Sequence, residues 1–151
     1  MVLGRPHAVL VGFQGLHPFL RAPSYRALAD LPLGERVVEL ARPEIRARIL
    51  GEELLPPDPA DPYADVYDFA LEHLYRLGDR PDYEPSAAQS VAAVARQRGG
   101  APREVLYDLL LEEGGRSFLL YVVMNYPDES LDAVREVIRH PESVLGLSDA
   151  G

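Results

Sequence analysis

The chain has no cysteine and, among its 15 basic residues, no lysine. Without Cys there is no disulfide, no thiolate nucleophile and no Cys-ligated zinc. Without Lys there is no Schiff base and no carboxylated-lysine metal bridge within this chain. No apolar run is long enough to span a bilayer, and the short one near the start, Ala8 to Phe13, lacks a small-residue cleavage site, so neither a membrane segment nor a targeting segment is expected. No phosphate-cradling Gly loop or Gly-x-Ser-x-Gly elbow occurs, and the four histidines include no His-x-His pair. The formal net charge of −9 speaks against nucleic acid as a partner, because phosphate binding needs clustered cations.

What is present fits one globular domain over residues 1–151. Apolar residues make up 47 % and charged residues 26 %, enough to build a core. A reducing, cytoplasmic setting is compatible with the missing cysteines.

Along the chain, Val9-Leu-Val-Gly-Phe13 reads as a strand buried on both faces, with Gln14, Gly15 and His17 after it. His17 precedes Pro18. It is expected to be a loop histidine, with a site-facing or metal-binding role as the alternative. Ser24 is the expected N-cap of a short helix, and helices follow over Leu33 to Leu40 and from Pro43. Four prolines between Leu54 and Tyr63 forbid regular structure. Tyr67, Leu71 and Leu74 or Tyr75 suggest a weak helix, and residues 77–85 a turn-rich loop. Ser90 to Arg98 and Pro102 to Glu112 read as helices closed by Gly pairs. Phe118 to Val123 reads as a buried strand with Asn125 and Tyr126 at its C-terminal end. Leu131 to Arg139 is a helix with Val134, Val137 and Ile138 inside, and Val144 to Leu147 is a last strand with Asp149 just past it.

From Gly99 onward the order is helix, strand, helix, strand. Connections of this length predict parallel strands joined by right-handed crossovers. Polar residues at strand ends, Asn125, Tyr126 and Asp149, would then share one rim, where a β/α barrel carries its chemistry.

Several stretches together resemble the amidohydrolase superfamily, and within it the N-acyl-D-amino-acid deacylases (D-aminoacylase-like). They are Leu77-Gly-Asp-Arg-Pro-Asp-Tyr-Glu-Pro85, Tyr107-Asp-Leu-Leu-Leu-Glu112, Asn125-Tyr126, Leu131-Asp-Ala-Val-Arg-Glu136, His140-Pro141 and Gly146-Leu-Ser-Asp-Ala-Gly151. The opening Gly4-Arg5-Pro6, Pro23-Ser-Tyr-Arg-Ala-Leu28 and Leu31-Pro-Leu-Gly-Glu-Arg36 are similar too. The last motif is fairly specific; the others persuade through their order.

The resemblance implies an α/β fold: part of a (β/α)₈ TIM barrel with about three parallel strands and a helical insertion. A whole barrel takes roughly 250 residues, so the chain would be about the last third of one. It implies hydrolysis of the amide C–N bond of N-acyl-D-amino acids at a zinc centre, with Asp149 as the carboxylate that activates water and passes the proton to the leaving amine. The family's His-x-His and middle-strand metal ligands are absent here, so this chain alone would be inactive, and whether it binds zinc by itself stays open. The alternative is a non-catalytic α/β module that self-associates, or takes a partner chain, through bare strand edges.

Overall fold

The computed structural model describes residues 3–60, 69–126 and 129–146. Its centre is β3 (Leu119–Met124), a Leu/Tyr/Val-rich run suited to a pleated surface covered on both sides. It is flanked by β1 (His7–Val11) and β2 (Leu74–Arg76) in the order β1-β3-β2. Both pairings are antiparallel, with Val11 opposite Leu119, Leu10 opposite Leu120, and Leu74 opposite Tyr121.

The helices are α1 (Pro23–Arg26), α2 (Leu33–Leu40), α3 (Pro43–Gly51), α4 (Val91–Arg98), α5 (Pro102–Gly115) and α6 (Asp132–Arg139). Proline occupies the first turn of α1, α3 and α5, where its missing N–H costs no helical bond. Ser90 caps α4 by accepting the Ala93 N–H at 3.2 Å, and Gly99 ends it in the left-handed region. Ser24 is not the expected cap of α1. Its N–H and hydroxyl instead both donate to the Glu52 carboxylate, at 2.9 and 2.8 Å, tying α1 to the end of α3.

The main core lies on one face of the sheet. Val11, Leu74 and Leu119 meet Val91 and Ala95 of α4 and Leu106 and Leu110 of α5. Beyond them is an aromatic group of Phe13, Phe19, Tyr25 and Tyr107. Phe19 and Tyr107 meet edge-to-face with centroids 5.1 Å apart, a favoured ring geometry. The Tyr107 hydroxyl, fully buried, donates to the Leu40 carbonyl at 2.9 Å and so satisfies one of the orphan acceptors at the end of α2. The other sheet face carries a smaller cluster of Tyr75, Leu120 and Val122 with Ala8, Leu77 and Tyr126 around it.

This antiparallel sheet corrects the expected parallel barrel segment. The sequence pattern hides β2, only three residues long and preceded by a 3₁₀ turn at Leu71–His73 where a weak helix is expected. Between β2 and β3 run two helices, α4 and α5, joined at Gly99-Gly100 and packed on each other. One crossover helix returns the chain for a parallel strand; a helical hairpin reverses it once more and delivers β3 antiparallel. The expected last strand does not form within the described residues: Leu145 makes one isolated bridge, and Val144 and Leu145 are exposed. Val137, expected inside α6, is also exposed, while Val134 is buried.

Gly115, at the end of α5, has φ of +76°, and a Cβ there would stand 2.4 Å from Val37 Cγ2 on α2. Gly115→Ala is therefore expected to lower unfolding free energy by about 1–3 kcal/mol through overpacking and backbone strain. Gly34→Ala, inside α2 with open space at the Cβ position, should raise it by about 0.5–1 kcal/mol. Urea unfolding of both variants against the parent measures the contrast.

Candidate functional site

The sequence expectation places Asn125 and Tyr126 at the end of β3 as rim residues, and the structure keeps them together there. Asn125 has φ of +62°, a left-handed conformation that Asn tolerates better than most residues, and it turns the chain off the strand. With His73, Tyr121 and Met124 the pair lines a cavity of about 440 Å³. The Tyr126 hydroxyl donates to the Pro85 carbonyl at 2.8 Å. Burial first, and then Tyr75 and nearby acids, push its pKa up to about 12. It is a fixed donor that buttresses the loop at Pro85, not a proton-transfer group near neutral pH.

His17 is elsewhere. Because β1 and β3 are antiparallel, Val11 lies beside Leu119 while His7 lies beside Met124. The loop after Val11, which holds His17, is thus at the opposite end of the sheet from Asn125, with the length of β3, roughly 17 Å, between them. In a parallel sheet the two would have shared a rim.

The His17 ring is fully buried, 4.4 Å from the Tyr25 centroid and 5.1 Å from that of Phe13, edge-on to both. Its Nδ1 accepts the Phe19 N–H at 3.2 Å, which puts the ring proton on Nε2. Nε2 is buried without a hydrogen-bond partner. Burial, and secondly the charge of Arg36, lower its pKa to about 3. Arg36 is held by the Ala29 and Phe13 carbonyls at 2.9 and 3.1 Å and lies over the Tyr25 ring. His17 is therefore a neutral core histidine that stiffens the Pro18 turn.

Asp149, the expected proton-transfer carboxylate, lies outside the described residues. The residues that are described do not fit zinc. A hydrolytic zinc needs about three protein ligands, yet His17 is walled by aromatic rings, and the cavity at Asn125 offers a single imidazole, that of His73. No three His, Asp or Glu side chains converge among the described residues. None of their helices is long and apolar enough to cross a membrane.

Glu84 and Glu129 are features the sequence pattern leaves unmarked. Glu84 accepts the Leu131 N–H at 3.0 Å and pairs with Arg135, while Glu129 accepts the Ala87 N–H at 3.0 Å. These contacts strap the turn-rich 77–85 loop and the residues after it to the start of α6. Their partners are 42 to 51 residues away, beyond any local signal.

A lowered His17 pKa has a defined consequence. The unfolded chain takes up a proton near pH 6.5 that the folded chain refuses until about pH 3. Stability from neutral His17 is complete above pH 6.5 and is lost as pH falls toward 3, at up to about 1.4 kcal/mol per pH unit. Urea midpoints measured from pH 6.5 down to about 5.5 isolate this slope, because the carboxylates, including Glu44, Glu84 and Asp132 whose folded pKa values are lowered, add their own slope only from about pH 5 downward. His17→Gln is expected to flatten it.

No family model, no curated protein and no solved structure matches the chain.

Proposed function

We propose that the chain is part of a metal-dependent amidohydrolase acting on the amide C–N bond of N-acyl-D-amino acids, and that it does not catalyse alone. The observation carrying this reading is Gly146-Leu-Ser-Asp-Ala-Gly151 after His140-Pro141, preceded in order by the other similar stretches. Asp149 is the proposed proton-transferring carboxylate, a role that fits an acid placed beside a reacting amide. Inactivity alone is proposed from the sequence, which lacks the His-x-His pair that a hydrolytic metal of this kind would use. A cytoplasmic location belongs to the same proposal and rests on the absence of cysteine.

A second reading, a non-catalytic association module, is favoured by exposed apolar side chains. Leu10, Val123, Met124, Val144 and Leu145 are each about half exposed or more. The strand edges are less open than their number implies. Leu16 bridges Val11 at the β1 edge and Ser90 bridges Tyr75 at the β2 edge, so contact through side-chain faces is better supported than strand addition.

Activity of the chain by itself, activity on co-expression and sedimentation test the two readings. The purified chain, given zinc and N-acyl-D-amino acids, is expected to show no turnover and no stoichiometric metal. Turnover with one bound zinc would overturn the claim of inactivity alone. Co-expression with a neighbouring reading frame carrying His-x-His should yield hydrolysis, which Asp149→Asn lowers by about 10²–10⁴-fold. No hydrolysis, together with concentration-dependent sedimentation of the chain by itself, would favour the association module.

A further inference from the structure

Past Val11 the chain folds back along the sheet. Leu16 bridges Val11 at the β1 edge, and the Gly12 N–H donates to the Leu16 carbonyl at 2.9 Å. The residues up to Ala22 then bond largely among themselves. The Gly15 N–H donates to Gly12 at 2.9 Å, the Leu20 N–H to His17 at 3.3 Å and the Ala22 N–H to Phe19 at 3.0 Å. The β1–β3 pairing ends at Val11 and takes no part in this loop. Later residues reach it through the Leu55 N–H on the Arg21 carbonyl, at 2.9 Å, and Arg36 on the Phe13 carbonyl, at 3.1 Å.

His17 sits at the centre of the loop, packed among Phe13, Phe19 and Tyr25. Its two nitrogens have no room for a second proton. Nδ1 accepts the Phe19 N–H, and Nε2 is buried without a hydrogen-bond partner. An imidazolium donates from both nitrogens. In the closed loop Nδ1–H would confront the Phe19 N–H, and both ring donors would be buried unmet. Among the described residues, the groups packed around the ring are neutral or cationic. α1 contributes Tyr25, whose hydroxyl pKa is raised by burial, and α2 contributes the Arg36 guanidinium. Behind Phe19, α5 contributes Tyr107, whose hydroxyl donates to Leu40, and Arg103, 5.3 Å from the Phe19 centroid.

We infer that residues 12–22 form an acid-released latch: His17 takes up a proton only with the loop swung out, so acid opens the loop while β1 and β3 stay paired, and uncovers the β1 edge at Val11. Burial of Phe13 and Phe19 keeps the latch closed at neutral pH. Outside its pocket the imidazole has the ordinary value near 6.5. Below that pH, proton uptake favours the open form by mass action, up to about tenfold per pH unit. The open form presents the Val11 edge with the Phe13 and Phe19 rings, a surface for association that is covered at neutral pH. The latch is independent of the proposed hydrolase, since it involves none of Asp149, Asn125 or Tyr126. It differs from global acid unfolding in leaving the sheet intact.

Amide hydrogen exchange of the full ¹⁵N-labelled chain, followed by NMR, tests it. The Gly12, Phe19 and Leu20 amides are expected to exchange through an opening insensitive to low urea. Its equilibrium constant should rise about tenfold from pH 7.5 to about 5.5, after correction for intrinsic exchange. Amides of the β1–β3 pairing should exchange only through a larger opening that grows with urea. His17→Gln keeps an acceptor for the Phe19 N–H but takes no proton, and should cancel the tenfold rise in the loop. If that variant does not fold, the ring ¹⁵N shifts of the parent decide, since the closed loop must hold a neutral His17 across this pH range. Loop and sheet amides sharing one opening and one urea slope, a loop opening constant indifferent to pH, the same rise in folded His17→Gln, or an imidazolium in the closed loop would overturn the latch.

Discussion

β3 is paired on both edges from Leu119 to Tyr121 and covered on both faces as far as Val122, and β1, β2 and the α4–α5 hairpin are arranged around that stretch. On one side Leu119 and Tyr121 face the α4–α5 hairpin and the aromatic group; on the other Leu120 and Val122 face the smaller cluster. A strand enclosed in this way leaves no freedom of register, since a slip by one residue would exchange the two faces. The sense of the pairing matters as much as the register. Antiparallel neighbours send Asn125 to one end of the sheet and the His17 loop to the other, and the shared rim that parallel strands would create does not exist.

The two ends then differ in character. The His17 end is dry and closed: Phe13, Phe19 and Tyr25 surround a neutral imidazole, Tyr107 packs on Phe13 and Phe19 behind them, and Arg36 ties the surrounding loops through two backbone carbonyls. Low polarity there explains the depressed imidazole pKa, because a charged ring would lose its hydration with no anion to replace it. The Asn125 end is open, with Val123 and Met124 exposed, and is held by Tyr126 on Pro85 and by the Glu84 and Glu129 contacts to α6 and the Ala87 turn. α6 buries little beyond Val134 and leaves Val137 exposed, so polar contacts of modest strength carry much of its docking. Among its residues only Val134 is buried.

Local signals were legible where one residue type acts on its own neighbours. Proline at the first turn of α1, α3 and α5, Ser90 before α4 and Gly99 after it mark those helices without reference to anything distant. The Leu/Tyr/Val run of β3 and the apolar stripe of α5 were equally plain. β2 was not, because three residues cannot display a period and Leu74-Tyr75 also fits a helical stripe. Of the candidate site, Asn125 and Tyr126 stand together because they are adjacent in sequence, whereas His17 was separated from them by strand direction, which no single segment encodes.

By itself the sequence determined that no cysteine or lysine chemistry is available, and it marked most of the helices, the Ser90 and Gly99 caps of α4 and the central strand. Each of these depends on residues within a few positions of one another, or on composition alone. Only the tertiary structure decided that the α4–α5 hairpin reverses the chain before β3, that His17 is neutral core, and that Glu84 and Glu129 clamp a loop to α6. Those outcomes rest on contacts between residues far apart in the chain, whose burial and direction exist only once β3 has been enclosed.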